Sequence, residues 1–225
     1  AAASGDKKEI AIAWVAREKG ESQVYVTKVD ESGKKLGQKK ITVAPRAAKK
    51  GGVASEASDV AIAWSPSESG EGWIVSWVDT RDGNAEVYTA KIDRNLTKTV
   101  PDRRLTDAPG DAAEVHLLVR GKETLVTWSD ARQKPDEGKG DIYVARIETR
   151  SLNKVGAESR LAATTAHSRS PQLVAGPGGT VWASWVEDAG EGADAGGAAR
   201  FSILDDKGAA TTTTTLAGSA TRVIV

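Results

Sequence analysis

The chain has 225 residues, with 31 Lys+Arg balancing 31 Asp+Glu, two His, and neither Cys nor Met. Zero net charge argues against a nucleic-acid partner, whose phosphates call for a basic excess, and no apolar run reaches the ~20 residues of a membrane span. The missing cysteines remove disulfides, thiolate zinc sites and cysteine nucleophiles, and leave the redox compartment open.

In chain order, Ala1 to Lys8 are small and polar, as expected of a processed mature end or an expression remnant. A short apolar strand closed by Trp follows, Ile10-Ala11-Ile12-Ala13-Trp14, and after a polar loop comes Val24-Tyr25-Val26. The same sequence of events returns three times. Ile74-Val75-Ser76-Trp77 leads to Val87-Tyr88-Thr89, Leu125-Val126-Thr127-Trp128 to Ile142-Tyr143-Val144, and Val181-Trp182-Ala183-Ser184-Trp185 to Phe201-Ser202-Ile203. Each unit ends in another short strand, at Ile41-Thr42-Val43, Leu105-Thr106, Leu161-Ala162 and Thr215-Leu216. The second, third and fourth units are preceded by Val60-Ala61-Ile62-Ala63, Val115-His116-Leu117-Leu118 and Gln172-Leu173-Val174-Ala175.

Four strands per unit, with units of 40 to 60 residues and no helical period, predict an all-β fold: a β-propeller of four blades, each of four antiparallel strands. Blade 1 is placed at about 9–46 with a closing strand 221–225, blade 2 at 53–107, blade 3 at 112–164 and blade 4 at 170–217. The first unit enters at its second strand, so Thr221-Arg222-Val223-Ile224-Val225 is expected to pair with the first blade and close the ring. Closure in cis gives a monomer; closure in trans gives a homodimer.

The segments from Trp77-Val78-Asp79-Thr80-Arg81 to Glu86-Val87-Tyr88, and from Trp128-Ser129-Asp130-Ala131-Arg132 to Asp141-Ile142-Tyr143, resemble the W-x-D-x-R…G…[DE]-[IV]-Y repeat of secreted bacterial β-propellers. Those proteins are loosely similar to the sialidase-like superfamily. The resemblance implies a fold and a secreted or periplasmic location, and carries no activity with it. Sialidase chemistry would need a Tyr nucleophile and three converging arginines. Here Tyr25, Tyr88 and Tyr143 all occupy the repeat position, where packing accounts for them. His116 and His167 have no nucleophile-elbow sequence beside them.

Function is therefore expected from departures from the repeat. Trp64 and Trp73 flank the longest hairpin and should face each other across it. With Trp182, and with Arg81 and Arg132 beside the repeated Trp, they form the expected binding set for an extracellular glycan or a partner protein. Asp79, Asp82, Asn84 and Glu86 supply hard oxygen ligands within eight residues, a possible calcium loop; no other cofactor is expected. The leading expectation is a non-catalytic binding module. The alternatives are a hydrolase or lyase acting on an extracellular polymer through loop carboxylates, and a structural scaffold.

Overall fold

The computed structural model describes residues 2–3, 8–18, 20–42, 56–188 and 197–220, and these form four four-stranded antiparallel sheets. The first contains β1 (Ala2–Ala3), β2 (Glu9–Glu18), β3 (Glu21–Asp30) and β4 (Lys35–Lys40). The second contains β5 (Ala57–Ser65), β6 (Gly72–Asp79), β7 (Glu86–Ile92) and β8 (Lys98–Arg104). The third contains β9 (Ala112–Arg120), β10 (Glu123–Asp130), β11 (Asp141–Glu148) and β12 (Ser159–Arg160). The fourth contains β13 (Ser168–Ala175), β14 (Val181–Glu187), β15 (Gly197–Leu204) and β16 (Ala210–Ala220). Every sheet is a simple meander, so each strand pairs with its neighbours in sequence. The leading strands β1, β5, β9 and β13 touch from one sheet to the next and make the hub. Outermost β8 carries Pro101, which only an edge strand tolerates well.

The start of the chain differs from expectation. Ala2 and Ala3 pair with Ala11 and Ile10, so the first sheet takes its leading strand from the chain's own beginning. The expected closing strand, 221–225, lies outside the described residues.

Alternation along each strand sends one set of side chains forward and one back, and the repeated Trp fills the space between sheets. Trp77 and Tyr88 pack with Val24 and Val26 of the first sheet. Trp128 and Tyr143 pack with Ile74, Val78 and Val87 of the second, and Trp185 with Leu125, Ile142 and Val144 of the third. These three indoles are at most 1% exposed. At 150–250 Å² per ring, such burial contributes about 5 kcal/mol each.

The polar residues after the Trp complete this joint. Trp128 donates its indole N–H to Asp130 Oδ2 at 2.8 Å, and Asp130 also receives the Arg132 backbone N–H at 2.9 Å and Nη2 at 2.6 Å. Arg132 reaches Glu158 at 2.6 Å while its guanidinium lies 4.3 Å from the Tyr143 ring centre. The second sheet repeats this brace with Trp77, Asp79, Arg81, Asp102 and Tyr88. In the fourth sheet the aromatic alignment slips by one residue. Trp185 is paired with Arg200, whereas Phe201 lies opposite Ser184. Phe201 therefore does not occupy the position of the three tyrosines. Arg200 holds Glu187 at 2.6 Å, and among the described residues the Trp185 indole N–H has no partner.

Among the described residues one cation is buried without a carboxylate partner. Lys91, 2% exposed, donates to Ser65 Oγ at 2.9 Å, the Ser69 carbonyl at 2.6 Å and the Thr149 carbonyl at 2.8 Å, tying the second sheet to the third. Burial, with repulsion from Arg150, lowers its pKa to about 8 from 10.5.

Two outcomes are expected. Asp130→Ala leaves Arg132 and the Trp128 indole short of their buried acceptor and should cost about 3 kcal/mol in urea unfolding; a loss under about 1 kcal/mol would show that the brace is dispensable. For Lys91 the unfolded chain holds the proton more tightly than the native state between pH 8 and 10.5, so native stability should rise with pH across that window. The stability difference between wild type and Lys91→Met should therefore move in favour of wild type over the same window, and a flat difference would exclude the effect.

Candidate functional site

An open cavity of about 660 Å³ lies at the hub against β5, β9 and β13. Its polar lining includes Asp59, Glu114, His116, Arg169, Ser170 and Gln172. Three of these sit at one structural position. Asp59, Glu114 and Ser170 are each the third residue of their strand. Each has left-handed backbone, with φ of 45°, 57° and 53°, and each lies at a break in the register with the next strand. Such bulges turn a side chain away from the plane it would otherwise hold. Left-handed backbone is costly for residues other than Gly, Asn and Asp, and strain of this kind concentrates at functional sites.

The surroundings set the chemistry of each group. Glu114 accepts the Ser170 backbone N–H at 2.5 Å and faces the Ser170 hydroxyl at 3.4 Å. Asp59 is exposed and has the Ser58 hydroxyl at 3.3 Å. His116 Nδ1 accepts the Leu173 N–H at 3.1 Å, which assigns the ring proton to Nε2. Burial lowers the pKa of this imidazole and favours its neutral form. Arg169 pairs with Asp188 at 2.7 Å. The arrangement is two carboxylates on neighbouring strands, a neutral imidazole and a cation around one space.

The residues expected to bind lie elsewhere. Trp64 and Trp73 do face each other, with ring centres 5.0 Å apart. Trp73, however, is fully buried, and Arg94 lies over Trp64 at 4.5 Å. The hairpin pair is thus packing, and Trp73 offers no stacking surface. Arg81 and Arg132 are each held by two carboxylates in the braces between sheets. Trp182 packs edge to face on Phe201 at 5.3 Å. None of the five lines the hub cavity.

The expected calcium loop is satisfied by protein groups. Asp79 serves Trp77 and Arg81, while Glu86 receives Arg104 at 2.8 Å, the Ala108 N–H at 3.1 Å and the Thr106 hydroxyl. Asn84 donates to the Ala108 and Gly110 carbonyls, and Asp82 receives the Tyr88 hydroxyl. Among the described residues no three His, Cys, Asp or Glu side chains gather to hold a metal ion, so these four do not converge as a cage. His167 likewise accepts the Gly140 N–H at 2.8 Å and ties two loops together.

Asp59 and Glu114 were missed because they recur. The expectation that catalytic acids occupy non-repeated positions steers attention away from a position shared by three sheets. The available signal was a polar residue just before the apolar run of each leading strand, 55 and 56 residues apart.

No family model matches the sequence. No curated protein matches it either. The fold does match solved structures. An α-L-arabinanase from Penicillium chrysogenum, complexed with arabinobiose, has a TM-score of 0.65 at 12% identity over 94% of this chain and 65% of its own. A GH93 α-L-arabinofuranosidase from Fusarium graminearum has 0.58 at 14%, over 92% and 62%, and an arabinanase from Bacillus subtilis 0.56 at 12%, over 96% and 79%. The chain thus spans about two thirds of the length of the first two. At this identity the likeness establishes the fold. Among the described residues no helix is long and apolar enough to cross a membrane.

These findings correct the expectation of a non-catalytic binding module. Several proteins that share the fold are named as arabinanases or arabinofuranosidases, and the hub cavity is lined by Asp59 and Glu114 and by none of the five expected Trp and Arg residues.

If the bulge positions carry strain for the sake of the cavity, Asp59→Gly should melt no lower than wild type and gain up to about 1 kcal/mol. Asp59→Val, a branched residue in left-handed backbone, should lose stability. Equal losses in both variants would show that the Asp59 carboxylate supports the fold.

Proposed function

We propose that this chain is a glycoside hydrolase acting on an extracellular polysaccharide, with Asp59 and Glu114 as the reacting carboxylates. One observation carries the reading: two acids on neighbouring leading strands, both in left-handed bulges, line one polar cavity of a fold shared with arabinan-cleaving enzymes.

Glycosidic cleavage uses one carboxylic acid to protonate the leaving oxygen and one carboxylate on the other side of the sugar. Glu114 takes the carboxylate role, because the Ser170 N–H it accepts at 2.5 Å fixes its position beside the cavity. As the C–O bond breaks, positive charge develops on the sugar ring and this fixed anion stabilises it; water then bonds to the anomeric carbon and gives up its proton to a carboxylate, completing the hydrolysis. Asp59, on the adjacent strand and facing the same cavity, is assigned the acid role at the leaving oxygen. His116, held as a donor at Nε2, orients a sugar hydroxyl. These acids stand on leading strands, not in the loops where polymer-cleaving carboxylates were expected. A polysaccharide substrate accords with the secreted or periplasmic location implied by the repeat resemblance.

The test is reducing-sugar release from a panel of plant and bacterial polysaccharides, with arabinan among them. Glu114→Gln and Asp59→Asn should each lower turnover by roughly 10²–10⁴-fold with unchanged melting. Activity that survives both substitutions, or none on any polysaccharide, would overturn the proposal.

A further inference from the structure

A cation on the third strand of each of the first three sheets crosses to the sheet that follows. Lys28, Lys91 and Arg146 occupy equivalent positions, each two residues before the acid that opens the next turn, Asp30, Asp93 and Glu148. Each donates to the backbone carbonyl one residue past the corresponding turn acid of the following sheet: Lys28 to Arg94 at 2.8 Å, Lys91 to Thr149 at 2.8 Å, and Arg146 to Asp206 at 3.0 Å. In the first and third sheets a carboxylate at the opening of the second strand answers the charge. Glu9 lies 3.0 Å from Lys28, and Glu123 lies 3.2 Å from Arg146. The second sheet has Gly72 at that position. Its φ is 148°, and an added Cβ would run into the Ile92 carbonyl, so no acid can stand there. Lys91 is left with hydroxyl and carbonyl acceptors alone.

The charge that lacks its carboxylate borders a cavity. This space, about 330 Å³, is lined by Glu68, Ser69, Lys122, Glu148 and Arg150 of the second and third sheets. It stands at the other end of the strands from the hub cavity: Asp59 and Ser65 are six residues apart on β5, about 20 Å in an extended strand. Behind its wall, Lys91 holds the Ser69 carbonyl at 2.6 Å. Two more cations line the space, and among the described residues neither Lys122 nor Arg150 pairs with a carboxylate. Of the two acids, Glu148 receives the Ser151 hydroxyl at 2.5 Å. Lys91, Lys122 and Arg150 against Glu68 and Glu148 leave an excess of one positive charge.

We propose that this cavity binds the carboxylate of a sugar acid, which takes the place of the acid that Gly72 excludes. An excess of a single charge fits a monoanion. Arg150 offers a planar fork that matches a carboxylate with two parallel hydrogen bonds, and Lys122 adds a compact charge beside it. Glu68 and Glu148 are acceptors for sugar hydroxyls, and they repel the second charge of a phosphate. The volume is near the lower bound of small-molecule sites and has room for a monosaccharide unit. The site is independent of the chemistry at Asp59 and Glu114.

Titration calorimetry of the full chain with galacturonate tests this, with galactose, glycine and inorganic phosphate as comparisons. Galacturonate should bind, and galactose, which has the hydroxyls without the charge, should bind about tenfold more weakly or not at all. Lys122→Gln and Arg150→Gln should each weaken galacturonate about tenfold or more. Both side chains are exposed, so both variants should melt like wild type. Glu114→Gln should bind galacturonate as wild type does, which separates this site from the hub cavity whatever the outcome there. No binding of galacturonate, binding indifferent to both substitutions, binding lost in Glu114→Gln, or phosphate or glycine held as tightly as galacturonate would each overturn the proposal.

Discussion

The structure depends on a large indole being driven between two sheets and fixed there by a carboxylate. Trp77 and Trp128 are buried because meander sheets have two apolar faces and water must leave both. Burial of the ring alone would strand its N–H, and Asp79 or Asp130 removes that cost. The same carboxylate would then be an unpaired buried charge, which Arg81 or Arg132 answers while its guanidinium covers the Tyr ring. Each residue of the W-x-D-x-R motif thus solves a problem created by the previous one. The fourth sheet, with Glu187 turned to Arg200 and the Trp185 N–H unpartnered among the described residues, shows the joint holding on packing without the whole brace.

This arrangement leaves the hub free for chemistry. The braces absorb the repeated aromatic and charged residues at the flanks of the sheets, so the leading strands need only pair on one side. Their third residues can then enter left-handed bulges without breaking a sheet-to-sheet joint, and the side chains displaced there surround the cavity. In each brace one arginine answers two acids, and the cavity carries carboxylates close to Arg169. Rigid flanks and a strained, polar hub divide structural support from the cavity proposed as the site.

The sequence by itself determined the all-β architecture, the four units and their middle strands; the outer strands expected at 41–43, 105–106 and 161–162 lie instead at Lys35–Lys40, Lys98–Arg104 and Ser159–Arg160. The units and middle strands rest on local alternation and on a Trp-to-Tyr spacing that tertiary structure does not alter. It also determined that Trp64 and Trp73 would meet, because a hairpin places its flanking residues opposite each other. Only the tertiary structure decided the rest. Phe201 reads as the fourth repeat aromatic until pairing with β14 puts it opposite Ser184, and a one-residue slip reverses the face a strand residue occupies. Asp79 and Glu86 read as metal ligands until the arginines and hydroxyls that neutralise them arrive from residues 81, 104 and 106. Asp59 and Glu114 lie 55 residues apart and acquire meaning only when adjacent leading strands and two backbone bulges turn them toward one space. Local patterns encode strands; which side chains share a cavity is set by long-range packing.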